Sequence, residues 1–187
     1  MVIKQLAIGV AFASLLLIAG ILSARAAVVE SGANGFAVEE KAHIAASPAK
    51  VYAALIHPEN WWNSEHTFSQ NAKNLSLEAK AGGCLCETLP NGGSVAHLTV
   101  AAVMPNSTLR LRGAMGPFQA QGVDGALTFA LKAAGDGTDL VLDNNVGGFV
   151  KGGMGKWPDA ADGMLTDLVA HLKYYVENGK AMPASAK

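Results

Sequence analysis

Apolar and polar positions alternate along most of this chain between Phe36 and Val146, and recur at helical spacing only near the two ends of that stretch. FAVEEKAHIA, residues 36–45, alternates as a first strand. Ser47-Pro48 then places an N-capping hydroxyl before a proline suited to the first helical position, and Ala49 to Ile56 follows as a short helix with Val51, Tyr52, Leu55 and Ile56 on its apolar side. His57-Pro58 breaks it and begins a second short helix through Trp62. From Ser69 the period is two. Leu75–Ala79, a hairpin within Gly82–Val100 turning at Asn91-Gly92, Thr108–Gly113, and a hairpin from Gly125–Ala133 to Thr138–Val146 read as consecutive antiparallel strands. A glycine-rich loop, Gly147–Lys156, leads into a long helix from about Pro158 to Glu177. There Met164, Leu165, Leu168, Leu172 and Tyr175 form one apolar stripe, and Asn178-Gly179 ends it.

A run of antiparallel strands and one long terminal helix bury each other only if the sheet curves around the helix. The expected fold is therefore α+β, a helix-grip arrangement with two short helices after the first strand. The space between sheet and helix exceeds what side chains fill, so a cavity is expected there.

The first residues read as a targeting segment. Lys4 precedes an apolar run from Leu6 to Leu22, and Ala24-Arg25-Ala26 has the A-x-A form of a cleavage site after Ala26. The alternative is a retained N-terminal anchor, since the run approaches spanning length. Either places the folded part outside the cytoplasm, in the periplasm or secreted, with the membrane involved only through that segment. The organisation expected is a signal peptide over 1–26, a linker over 27–35, one domain over 36–179 and a flexible tail over 180–187. A net charge of −1 with 16% charged residues leaves no basic excess to track phosphates, which argues against nucleic-acid binding.

Candidate chemistry gathers on the 82–100 hairpin. Regular pairing about Asn91-Gly92 sets Glu87 opposite Ala96, Cys86 opposite His97 and Cys84 opposite Thr99, so Cys84, Cys86, His97 and Thr99 share one face. Residues two apart on a strand are held nearly 7 Å apart with parallel Cβ vectors, which predicts two free thiols shielded by burial, with a strained redox-active bridge as the alternative. The face is then a ligand-facing wall or, on a weaker C-x-C plus one His, a Cys84–Cys86–His97 metal site; no cofactor is otherwise expected. A thiol–imidazole nucleophile and base pair is a further reading. Glu87 lies in the opposite phase: a surface carboxylate if the cysteines face inward, the best acid/base candidate if the faces are reversed.

Asn144 shares phase with Leu140 and Leu142, and an amide on an apolar face needs a partner. Of Trp61 and Trp62, one belongs to the core and the other covers a cavity mouth. Phe118 and Phe129 are core residues that in this architecture also touch the cavity. Arg110 and Arg112 occupy a solvated strand face, and His171 is expected to be exposed. The Gly147–Lys156 run fails the P-loop spacing, with Val150 where the first glycine belongs and Trp157 after the lysine. It reads instead as a mobile hinge admitting a ligand.

Several strings resemble the START-like, or SRPBCC, superfamily, and within it the branch of polyketide cyclases/dehydrases and heat-shock ATPase activator homologues. They are ASPAKVYAAL (Ala46–Leu55), Pro58-Glu59-Asn60-Trp61-Trp62, AGGCLCETL followed by His97, LRLRGAMGPFQ (Leu109–Gln119) and the glycine-rich loop. The resemblance covers Phe36 to Asn178 and implies a hydrophobic pocket between sheet and C-terminal helix. It carries over no catalytic residue, and the fold alone does not choose among the superfamily's activities.

Together these features lead to an exported protein that binds a small hydrophobic or aromatic ligand through Trp61, Trp62, Cys84, Cys86, His97, Phe118, Phe129 and Asn144. The rival is a cyclase- or dehydrase-like enzyme with His97 or Glu87 as acid/base. A protein-interaction module of the chaperone-activator kind fits export poorly, because its ATPase partner is cytoplasmic.

Overall fold

The computed structural model describes residues 25–183. The expected signal segment falls almost wholly outside these residues, as does the end of the expected tail. Eight antiparallel strands form one sheet in the order β1-β2-β8-β7-β6-β5-β4-β3. They are β1 (Arg25–Gly32), β2 (Gly35–Ile44), β3 (Leu75–Leu77), β4 (Cys84–Thr88), β5 (Ser94–Met104), β6 (Thr108–Arg112), β7 (Gly122–Ala134) and β8 (Gly137–Phe149). Between β2 and β3 come the helix α1 (Pro48–Leu55) and three short 3₁₀ turns, and after β8 comes α2 (Trp157–Asn178). The α+β helix-grip arrangement expected from the pattern is the fold observed.

Segment 27–35 is not a linker. It forms most of β1 and the turn into β2, with Val28 opposite Val38 and Gly32 opposite Gly35. The pattern concealed this because β1 is an edge strand, and over residues 27–32 Val28 is half-buried and the rest are exposed, so no apolar face alternates there.

Local chemistry explains the other elements. The Ser47 side chain accepts a hydrogen bond from the Lys50 N–H at 3.4 Å, capping α1 as its Ser-Pro start suggests. Gly179, in the left-handed region at φ 69°, ends α2. Along β2, Phe36, Val38, Glu40, Ala42 and Ile44 turn inward while their neighbours face out. Register shifts at Val28/Glu30, Leu85/Cys86 and Val100/Ala102 insert bulges, which bend strands and increase their twist. These bends curl the sheet around α2.

The stripe of α2 packs inward, with Leu165 and Leu172 fully buried and Leu168 nearly so. The helix lies against β1, β2 and α1. It therefore stands over one side of the curved sheet and leaves space above the other. His171, expected at the surface, is buried on the same helix because the 3₁₀ segments after α1 cover it. Its Nδ1 lies 3.2 Å from the Trp61 carbonyl. Arg110 and Arg112 are exposed, reaching Thr128 and Asp124 across the outer face. Among the described residues no helix is long and apolar enough to cross a membrane.

Candidate functional site: an apolar cavity with a His–Glu pair

The space that α2 leaves open is a cavity of about 510 Å³, within the range of small-molecule sites. Its floor is Leu85, Leu98, Leu127 and Val146 from the sheet. Its roof is Trp157, Ala161 and Met164 from α2, and Trp62, His66 and Phe68 close one side. The segment after β6, Ala114 to Phe118, forms another wall, with the Phe118 ring 4.6 Å from that of Trp157.

The hairpin that supplies His97 departs from regular pairing. Cys84 faces Thr99 and Leu85 faces Leu98, but Cys86 faces Ala96 and Glu87 faces Val95. His97 is the extra residue. A bulge lets two consecutive side chains point to one side, and His97 and Leu98 are both buried on the cavity side. Alternation along β4 then sends Leu85 and Glu87 inward and leaves Cys84 and Cys86 half-exposed on the outer face.

The expectations for the two cysteines are corrected here. Cys84 and Cys86 do not line the cavity, and they do not share a face with His97. They are not free thiols but a disulfide, whose Cα atoms are 5.3 Å apart, because β4 is contracted at this rung and the nearly 7 Å of a straight strand does not apply. That removes both cysteines as metal ligands, and no group of three His, Cys, Asp or Glu suited to a metal occurs among the described residues. Of the two alternatives for Glu87, the one with reversed faces holds: it is almost completely buried, although it does not itself line the cavity.

Glu87 and His97 form a pair. The His97 Nε2 lies 2.8 Å from Glu87 Oε2, and the backbone N–H groups of Phe68 and Ser69 donate to the same carboxylate at 3.1 and 2.5 Å. Burial pushes the Glu87 carboxyl up, but the hydrogen bonds from Ser69, His97 and Phe68 outweigh it and hold the group below the ordinary carboxylate value. Glu87 is therefore an anion that can only accept, so Nε2 carries its hydrogen toward Glu87. Nδ1 is the ring nitrogen left to meet a ligand, and it makes no hydrogen bond among the described residues. The Phe68 ring packs 5.7 Å from the imidazole and holds its plane.

Asn144 reaches the cavity from β8, between Leu142 and Val146 on the inner face, and its amide makes no side-chain hydrogen bond among the described residues. Trp62 and Phe118 also line the cavity. Trp61 does not: it is a core residue whose indole N–H donates to the Ala54 carbonyl at 2.9 Å, and Trp62 is the member of the pair that faces the opening. Phe129 is likewise core, on the strand β7 against which α1 packs.

The sequence reading missed His66. Its Nε2 lies 3.3 Å from Asp167 Oδ2, which also accepts from Asn63 Nδ2 at 2.9 Å, while His171 Nε2 stands 3.6 Å from the other oxygen. This cluster ties the 3₁₀ segments to α2 at the cavity edge. No periodic signal could have found it, because His66 lies in an irregular stretch and Asp167 is a hundred residues away.

The glycine-rich stretch splits in two. Gly147 to Phe149 complete β8, where a Cβ at Gly148 would collide with the Gly122 carbonyl and φ is 135°. The remainder is anchored on buried Val150 and Met154.

A curved antiparallel sheet closed on a long C-terminal helix around an apolar hollow defines a START-like helix-grip protein. The chain belongs to the polyketide cyclase/dehydrase and lipid transport family, whose model matches residues 35–177. No curated protein matches it in sequence. Among solved structures it is similar to EF2215, a conserved protein of unknown function from Enterococcus faecalis, at 16% identity and a TM-score of 0.58, covering 88% of this chain and 82% of that one. It is similar to an uncharacterized protein from Rhizobium leguminosarum at 20% identity and TM-score 0.57, covering 83% and 97%. It is also similar to the Aha1 dimer from Colwellia psychrerythraea at 19% identity and TM-score 0.53, covering 77% and 98%. At these identities the likeness is one of fold.

Proposed function

We propose that this protein binds a small hydrophobic or aromatic molecule in the cavity between sheet and α2, and that His97 is the polar contact that orients it. The observation that carries this reading is the buried His97 imidazole, fixed by Glu87, in a largely apolar wall whose other polar side chains are Glu65, His66, Thr67 and Asn144. Desolvating apolar ligand surface supplies affinity at about 25 cal/mol per Å². The Nδ1 lone pair selects a ligand carrying a hydroxyl or another acidic hydrogen, and the Asn144 amide offers a second polar contact.

Intrinsic fluorescence tests this, since Trp62 and Trp157 both line the cavity. 2-Naphthol should bind more tightly than naphthalene, and His97→Ala should erase that preference with a loss of about tenfold for naphthol alone. Equal binding of both probes by the wild type, or an unchanged preference in the variant, would refute the role of His97.

A second reading is favoured by the same pair. An imidazole whose Nε2–H is held by a carboxylate presents Nδ1 as a general base, which suits a cyclase- or dehydrase-like proton abstraction. His97→Ala would then lower turnover about 10²–10⁴-fold with the fold intact. Export is part of the proposal, and the Cys84–Cys86 disulfide supports action in a non-reducing compartment. Native mass spectrometry of protein recovered from its own cell envelope reads both points at once: a mature chain beginning at Ala27, with a co-purifying organic molecule. A chain retaining residues 1–26 and carrying nothing would count against both.

A further inference from the structure

The disulfide and the bulge occupy the same rung of the sheet. Cys84 and Cys86 flank Leu85, and the register slips between Leu85 and Cys86. Two steps of a regular strand span about 6.6–6.8 Å, whereas these Cα atoms are 5.3 Å apart, so the bridged segment of β4 is contracted and bent. Opposite it, β5 accommodates one residue too many, and that residue is His97. A straight ladder continued from the Cys84–Thr99 pair would set Cys86 against His97 and Glu87 against Ala96. Alternation would then turn the imidazole to the outer face, away from Glu87.

The bridge is also placed to be reached. Both cysteines are half-exposed on the sheet face opposite the cavity, beside the exposed Ser76, Ala96 and Thr99. It joins cysteines separated by a single residue, a very short loop for which chain-entropy stabilisation is small. The hairpin turn can absorb a one-residue slip: Leu89 to Gly93 is a surface 3₁₀ turn with Asn91 and Gly92 at φ 58° and 77°.

We propose that the Cys84–Cys86 disulfide is a redox-addressable site that controls whether His97 stands in the cavity. The reductant is a dithiol. One of its thiolates attacks a cysteine sulfur, the Sγ–Sγ bond breaks and a mixed disulfide forms. Its second thiolate displaces the other half, so two electrons and two protons leave the dithiol as a disulfide and reside on Cys84 and Cys86 as thiols. Without the bridge β4 extends, the bulge is lost and the His97–Glu87 hydrogen bond goes with it. The cavity then keeps its apolar walls and loses its orienting base. This switch rests on the reading of His97 as the polar contact of the site.

The experiment compares oxidised protein, protein reduced with dithiothreitol, and the Cys84→Ser/Cys86→Ser double variant. Iodoacetamide labelling and intact mass should show no modification in the first and two carbamidomethyl groups in the second. Ring ¹⁵N–¹H correlation spectra should show His97 held in the Nε2–H form when oxidised and released in the other two. The preference for 2-naphthol over naphthalene should fall about tenfold in both, while naphthalene binding stays within twofold. Reoxidation of the reduced wild type should restore all three readouts. His97→Ala is run alongside: if it loses the preference while reduction does not, and the His97 spectrum is the same in both redox states, the switch is overturned and the site reading stands. If His97→Ala keeps the preference, the site reading fails and the regulatory role falls with it. A bridge that stays closed in excess dithiothreitol under native conditions also overturns the proposal.

Discussion

Glu87 is the side chain on which the polar end of the cavity depends. It satisfies two backbone N–H groups and the imidazole at once, and its carboxylate is buried with them. Glu87→Ala leaves these donors without an acceptor, each costing about 1–3 kcal/mol, so a loss of about 3 kcal/mol or more is expected in urea unfolding, with Glu87→Gln milder. Because its pKa is held down in the folded protein, the stability Glu87 confers is present above the ordinary value of 4.5 and is lost as the pH falls through its lower folded value. The advantage of wild type over Glu87→Gln should therefore shrink under strong acid. A second buried carboxyl behaves oppositely. Glu40 faces α2 from β2, accepts from the Thr166 hydroxyl, leaves Oε2 unpartnered, and has a pKa pushed up to about 7 chiefly by burial and further by Asp162. The folded state therefore binds its proton more tightly than the unfolded chain, and stability falls as pH rises from about 4.5 to about 7 and stays lower above. Glu40→Gln should raise stability at pH 8, on the order of 3 kcal/mol from that shift, and have little effect at pH 4. A variant no more stable at pH 8 than at pH 4, relative to wild type, would show that Glu40 is not held neutral.

Among the elements, α2 has the plainest relation to its code. Leu165, Leu168 and Leu172 recur at three- and four-residue steps and all three are buried against the sheet, as that stripe requires. Leu172 lies at the closely packed end, away from the cavity, so Leu172→Ala should cost about 2–5 kcal/mol in thermal or urea unfolding. The α1 cap, the β6 strand and the β7–β8 hairpin were equally legible, because each is specified by residues adjacent in sequence. Element reasoning failed at β1 and at the β4–β5 hairpin. At β1 no buried face marks the strand. At the hairpin an alternation rule was applied across a bulge that it cannot see, and a single inserted residue reversed the relation of His97 to both cysteines. The Cys84–Cys86 bond was disfavoured by the same straight-strand geometry.

For the whole molecule, the decisive relation is where α2 stands. It lies against β1 and β2, so over the far part of the sheet it roofs a hollow through Trp157, Ala161 and Met164 instead of packing onto the strands, and Trp62, Phe68 and Phe118 wall the sides. Ala160 borders that hollow from α2 and is exposed on the helix. Ala160→Phe should obstruct the cavity and abolish naphthalene binding by fluorescence titration, while shifting the unfolding midpoint by less than the equivalent of about 1 kcal/mol, since no packed core is disturbed. Undiminished naphthalene binding would place the ligand elsewhere.

Taken alone, the amino-acid order determined the strand-rich body, the terminal helix and its buried stripe, the capped first helix, and the curved-sheet class, because periodicity and local turn chemistry act over a few neighbouring residues. It also brought Glu87, His97, Asn144, Trp62 and Phe118 forward as side chains of interest. The tertiary structure alone decided which face of the hairpin looks inward, that Trp61 is the core member of its pair, that Phe129 stays clear of the cavity, that His66 and Asp167 meet, and that Glu87 holds His97. These depend on a one-residue slip between paired strands and on contacts between segments up to a hundred residues apart. Packing settles both, and no local pattern encodes them.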